Sequence, residues 1–161
     1  HGWRHGCRTN WKPNYGGGFR GEQRPMKPPD HSVSIELEVP FHDVDSLHIV
    51  WHGHYFKYLE LARTALMRHH GLDVAEVVAA GHAMMVVDSR CRHSFPLRYG
   101  EKFRVTAWCV ETEHRVRIRF EIWNLTQNRR SARGHTVLVT TDFDGALCFE
   151  TPDVIRHALE Q

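Results

Sequence analysis

Chemically useful side chains crowd into one stretch, Phe41-His42-Asp43-Val44-Asp45-Ser46-Leu47-His48-Ile49-Val50-Trp51-His52-Gly53-His54-Tyr55. It holds two carboxylates and four histidines. A carboxylate can attack a carbonyl carbon, or take a proton from a water that attacks it. The stretch reads as an irregular link between a strand and a helix, and loops held by rigid elements are where catalytic groups concentrate. A helix start exposes unpaired backbone N–H groups and the positive end of the helix dipole. Such donors stabilise charge developing on a carbonyl oxygen. Local physics therefore supports acyl chemistry and names no substrate. Both Asp43 and Asp45 also fit a plainer role, holding a turn through backbone hydrogen bonds.

The elements around this stretch are legible from periodicity. Val33, Ile35, Leu37 and Val39 alternate with polar residues, which predicts a half-buried strand ended by Pro40. Tyr55, Tyr58, Leu59, Ala62, Leu66 and His69 fall at helical spacing, so a helix with one apolar face is expected over 54–70, stopped by Gly71. A short second helix is expected over 74–80. Strands are expected over 83–95, 102–111, about 115–122 and about 132–143, with a turn at 127–130. Asp144-Gly145 predicts a tight turn into 146–149, and Pro152 opens a terminal helix. One long helix followed by several long strands implies an antiparallel sheet wrapped around the helix, an α+β fold.

The 161 residues suit one domain. Residues 1–30 stand apart. They are rich in glycine, proline and basic residues without helical or strand period, and are expected to be disordered or foreign to a domain spanning 31–161. Met26 is the first methionine, so translation starting there is one expectation. Six Lys/Arg against two Asp/Glu make residues 1–30 +4, and fifteen against seventeen make the rest −2. The folded part thus lacks a nucleic-acid footprint. No stretch suggests a membrane span or a signal peptide. Cys7, Cys91, Cys109 and Cys148 are widely spaced without a CxxC pair, which favours reduced thiols and a cytoplasmic location. Cys91, Cys109 and Cys148 are expected within strands as small core residues.

Asp43-Val44-Asp45, Ile49-Val50, Trp51, Tyr55 and Glu60-Leu61-Ala62-Arg63 form a motif at fixed spacing, followed by Pro96-Leu97-Arg98-Tyr99-Gly100-Glu101 as a strand-linking segment. On these residues the chain resembles the 4-hydroxybenzoyl-CoA thioesterase group of hot-dog proteins, especially the short-chain acyl-CoA thioesterase branch associated with the Tol–Pal system. The resemblance covers residues 33–148. It implies a hot-dog fold, with a long central helix wrapped by the sheet, and dimers with sites at the interface, often assembled into tetramers. It implies an acyl-CoA thioesterase with Asp45 as nucleophile or general base. The His52 backbone N–H would polarise the thioester carbonyl, and the His52 side chain is a further candidate. No cofactor or metal is implied. Trp51 and Tyr55 are candidate substrate contacts, although Tyr55 and Tyr58 fit core packing better. Two departures stand out. Leu47-His48 stands where the family often has Ala-Gly or Gly-Gly, and the loss of glycine is expected to narrow the pocket or change the loop's path. Phe41 replaces an aromatic hydroxyl.

Other readings compete. A non-hydrolytic hot-dog protein could bind acyl-CoA or acyl-carrier protein without turnover. A dehydratase acting on an acyl carrier would need a His paired with a helical acid, and no convincing pair is present. His48, His52 and His54 lack a metal-ligand spacing such as HExxH. Glu60 and Arg63 suit a structural pair, and Arg115, Arg117 and Arg119 suit a solvated strand face.

Overall fold

Alternating burial produces β1 (Val33–Glu38): Val33, Ile35 and Leu37 pack against the core, while Ser34, Glu36 and Glu38 face outward. The computed structural model describes residues 25–161. After β1 come a 3-10 turn at Phe41–Asp43, α1 (His54–His69), α2 (Val74–Ala79) and β2 (Ala83–His93). Then follow β3 (Lys102–Glu111), β4 (Val116–Asn124), β5 (Arg129–Thr141) and α3 (Asp153–Leu159). The strands form one antiparallel sheet in the order β1-β3-β4-β5-β2. This is the α+β arrangement expected. Strands β1 and β2 are its edges.

Helix α1 packs against β1 and β3. Its buried stripe of Tyr55, Tyr58, Leu59, Ala62, Leu66 and Met67 meets Phe103, Val105, Ile118, Phe120 and Ile122 of the sheet. Gly134 makes close packing possible: a Cβ there would lie 2.6 Å from the Arg90 carbonyl oxygen and 3.0 Å from Leu59. Among the described residues, no helix is long and apolar enough to cross a membrane.

Several boundaries differ from expectation. His69 is exposed and Met67 is buried, because the apolar stripe of α1 drifts around the helix by its last turn. The strand expected from about 132 begins at Arg129. Asn128, at φ +48°, completes the turn earlier than the polar run suggests. Residues 146–149 form no named strand. A bridge between Thr141 and Leu147 and the bond from Cys148 N to Thr140 O hold them, with Leu147 and Phe149 exposed. Cys148 consequently lies outside the strands, half-buried, whereas Cys109 is buried in β3. Arg115 precedes β4 and pairs with Glu111. Glu60 and Arg63 form an intrahelical ion pair. Of the segment 1–30, residues 1–24 lie outside the described residues. Met26 N donates to Glu121 Oε1 on β4 at 3.1 Å.

Candidate active site

The link from β1 to α1 folds into a small hairpin. Trp51 N donates to the Asp43 carbonyl (3.0 Å), Val44 and Val50 bridge, and Asp45 N donates to the Ile49 carbonyl (2.9 Å). At the tip, His48 N donates to the Asp45 carbonyl (2.9 Å), and His48 has φ +60°. That is the left-handed region, which glycine enters without steric penalty and a residue with a Cβ does not. The loop therefore retains a left-handed residue even though Leu47-His48 supplies no glycine.

Asp45 is half-buried at this tip. Its Oδ1 accepts Leu47 N at 2.8 Å, an Asx-type turn bond that sets the side chain's direction. No second hydrogen bond to the carboxylate occurs among the described residues, so Oδ2 is open to a ligand or water.

Asp43 has a different environment. It is 1% exposed. Lys57 Nζ donates to Oδ1 and the Tyr58 hydroxyl to Oδ2, each at 2.5 Å. Burial pushes its carboxyl up, but the hydrogen bonds from Lys57 and Tyr58, with the charges of Lys57 and His54, outweigh burial and hold it below the usual carboxylate value. The same contact, after burial, pushes the Tyr58 phenol up. Asp43 is thus the anchor that ties the hairpin to the first turns of α1.

The second support is the link between β2 and β3. Leu97 is fully buried; its carbonyl accepts Val50 N (2.8 Å), and its N–H donates to the Tyr55 hydroxyl (3.1 Å). Glu101, itself buried, braces this link by accepting from Arg98 N, Asn124 Nδ2 and Gln127 Nε2 at 2.8–2.9 Å. Tyr55 is 2% exposed, which suits packing rather than open contact with substrate. Trp51 is 49% exposed, against His52 and His54. It folds over Gly53, where a Cβ would fall 2.0 Å from the indole.

Gly53 is the N-cap of α1 and offers no side-chain cap, so none of the helix's first N–H groups is taken by one. The His52 N–H makes no backbone hydrogen bond among the described residues. Asp45 and His52 thus sit on one hairpin, a carboxylate near its tip and, where it enters the helix, an N–H with no backbone acceptor among the described residues. His93, at the end of β2, packs edge-on to Tyr55 with centroids 4.5 Å apart and hydrogen-bonds to the His52 backbone. Burial, and the charge His52 would carry, lower the His93 pKa, partly offset by that bond. Sequence reasoning missed His93, Lys57 and the seating role of Leu97. Only the Pro96–Glu101 segment match pointed near them.

Comparison with known proteins agrees with this architecture. A family model described as the thioesterase-like superfamily matches residues 39–159. YneP of Bacillus subtilis (strain 168), provisionally named an acyl-CoA thioesterase, is 33% identical over 48% of this chain and 56% of its own length. The chain thus spans little more than half of that relative. The protein sll0410 of Synechocystis sp. (strain ATCC 27184 / PCC 6803 / Kazusa), provisionally named an esterase, is 29% identical over 78% of this chain and 76% of its own. In fold, the chain is similar to Slr0204, a 1,4-dihydroxy-2-naphthoyl-CoA thioesterase from Synechocystis, with TM-score 0.72 and 17% identity over 81% of this chain and 96% of that one. The helix-on-sheet architecture is the hot-dog fold.

Proposed function

The chain belongs to the thioesterase-like superfamily, and from that premise we propose that it hydrolyses an acyl-CoA or aryl-CoA thioester to the free acid and the thiol. Asp45 is the working carboxylate. The observation that carries this is the hairpin geometry: one oxygen of Asp45 is held by Leu47 N, and among the described residues the other carries no hydrogen bond and the His52 N–H has no backbone acceptor. The thioester carbonyl oxygen accepts that N–H, and negative charge develops on it as Asp45, or water activated by Asp45, adds to the carbon. The thiolate then leaves and takes up a proton to give the thiol; where Asp45 itself has added, water hydrolyses the resulting acyl–Asp45 anhydride to the free acid and restores the carboxylate. One carboxylate in this position serves either role.

The motif residues support the short-chain acyl-CoA branch associated with Tol–Pal. The coenzyme A thioester named for Slr0204 supports a CoA carrier over a carrier protein. The working unit is residues 31–161. A homo-oligomer is the working assembly, a dimer or a homotetramer, because β2 is a free edge with Met85, Val86 and Val87 exposed along it. The location is the cytoplasm, supported by Cys91, Cys109 and Cys148 all being free thiols.

The test is a thiol-release assay over acyl and aryl CoA thioesters with wild type and Asp45→Asn. The substitution keeps the Leu47 bond and removes the charge, so kcat should fall at least about a thousandfold, as when a catalytic nucleophile or base is lost, with the melting temperature little changed. Near-wild-type turnover in Asp45→Asn would remove Asp45 from the mechanism. Binding of CoA thioesters without thiol release by wild type would favour the non-hydrolytic reading.

A further inference from the structure

The outer face of the sheet, turned away from α1, gathers arginines. Gly134 faces Leu59 of α1, and Ile118, Phe120 and Ile122 face the core. Side chains alternate along a strand, so Arg133 and His135 of β5 and Arg117, Arg119 and Glu121 of β4 point the other way. Cys91 packs toward the core opposite Gly134, which turns Arg90 and Arg92 of β2 outward too. The register sets them in rows across β2, β5 and β4. Arg90, His135 and Arg119 form one row, Arg92, Arg133 and Glu121 the next, and Asp88, Val137 and Arg117 lie on the other side. Neighbouring strands are ~4.8 Å apart and alternate residues of one strand ~6.8 Å apart, so the five arginines share one patch.

The carboxylates near the patch are engaged elsewhere. Glu121 pairs with Arg130 (2.7 Å), Asp88 with His135 (3.0 Å), and Glu111, the cross-strand neighbour of Arg117, with Arg115 (2.8 Å). Asp88 also lies in the field of Arg90 and Arg117. With Arg130 cancelling Glu121 and Arg115 cancelling Glu111, five arginines stand against Asp88 alone among the described residues, a formal surplus of +4. Residues 31–161 as a whole sum to −2, so positive charge is segregated onto this face. Arg90, Arg92, Arg119 and Arg133 are exposed. Like charges side by side on a sheet repel, and a polyanion relieves that repulsion.

Polyanions differ in what they ask of a surface. Single-stranded nucleic acid stacks its bases on open aromatic rings, but the tryptophans of this face, Trp108 and Trp123, are each 5% exposed. Duplex DNA is read by an element that enters a groove, which a broad sheet face cannot do. A protein interface has a centre depleted in charge, whereas the central row here is Arg90, His135 and Arg119. A plane of anionic headgroups asks only for a flat spread of basic groups. We propose that this face binds the surface of a membrane containing anionic phospholipid, with Arg90, Arg92, Arg117, Arg119 and Arg133 meeting its negative headgroups. The contact is separate from the hairpin and from the reaction proposed for it. Two copies joined along β2 would set Arg90 and Arg92 of both beside the junction and merge their patches.

The experiment is co-sedimentation of the full chain with vesicles of phosphatidylcholine alone and of phosphatidylcholine mixed equally with phosphatidylglycerol. Wild type should bind the mixed vesicles and not the neutral ones, and high salt should release it, because exposed charges are screened. Arg119→Gln combined with Arg133→Gln should lower the partition coefficient about tenfold or more, the scale for two basic residues at an anionic surface. Arg119→Lys combined with Arg133→Lys keeps the charge and should bind close to wild type. Arg90→Gln combined with Arg92→Gln, on the edge strand, is a second neutral pair should the first fail to fold. Thiol release in vesicle-free solution should stay near wild type in all of them, since these residues lie on the face turned away from α1. Equal binding to neutral vesicles, or no binding to mixed ones, overturns the inference. So does unchanged binding by a folded neutral pair, which would place the contact in the basic residues 1–30. Retention of wild type on duplex DNA or polyglutamate without binding to mixed vesicles overturns it too, and assigns the patch to that polyanion. Wild type that binds mixed vesicles through these arginines yet releases no thiol leaves this face standing while the hydrolytic reading falls.

Discussion

Two aspartates one residue apart have opposite surroundings, and that separation assigns their roles. Asp43 is buried with both oxygens occupied, whereas Asp45 is half-buried with one oxygen open. A carboxylate already neutralised by Lys57 and Tyr58 is a poor nucleophile but a good fastening. The Asp43 pKa lies below its ordinary 3.8, so its contribution to stability is complete above that value and is lost as pH falls through the folded value. Replacing Asp43 with Asn should cost about 1–3 kcal/mol at neutral pH, the scale of a charged hydrogen bond. It should also flatten the acid limb of the stability curve. Urea unfolding at pH 7 and pH 3 checks this: an acid limb as steep as in wild type would mean that Asp43 is not the group responsible. His93 acts in the same direction at a higher pH. Its lowered pKa means that the unfolded chain takes up that proton first, so stability declines as pH falls below 6.5.

The hairpin is the element on which the site depends, and it contains one strained residue. His48 holds φ +60° at its tip. A left-handed conformation costs a residue with a Cβ about 1–2 kcal/mol relative to glycine. Part of that gain is cancelled, because glycine loses more backbone entropy on folding. The expected outcome for His48→Gly is a stabilisation of up to about 1 kcal/mol, seen as a raised denaturant midpoint with an unchanged slope. A lowered midpoint would show that the His48 side chain contributes more than its backbone costs. The hairpin's two supports, Lys57 and Tyr58 of α1 holding Asp43 and Leu97 on the β2–β3 link holding Val50, come from different elements, so α1 and the sheet must dock before Asp45 is aimed.

At the scale of the molecule, the sheet ends in an edge that a lone chain leaves unpaired. Among the described residues, strand β2 pairs only with β5, and Met85, Val86 and Val87 are exposed along it. Such an edge invites another strand, and a charge placed on it opposes pairing. A Val87→Lys variant should therefore shift the chain toward monomer in sedimentation velocity, while wild type sediments as a dimer or larger. If the variant keeps the wild-type sedimentation coefficient, β2 is not the pairing edge.

Much of this was legible in the chain itself. The resemblance of the residues from Asp43 through Arg63 to a known family implied the reaction class, while period-two alternation marked β1 and β4 and period-3.6 spacing marked α1. These features are local, because the side-chain direction along a strand or helix follows from the backbone repeat alone. The rest required the tertiary structure. Which aspartate is anchored depends on Lys57 and Tyr58 rotating under the hairpin. The seat for Val50 is Leu97, the arginine patch gathers residues of β2, β4 and β5, and the partner of His52 is His93. Those contacts join residues that only the strand order β1-β3-β4-β5-β2 brings together, and that order is a property of how the whole core is buried, which no single segment's pattern encodes.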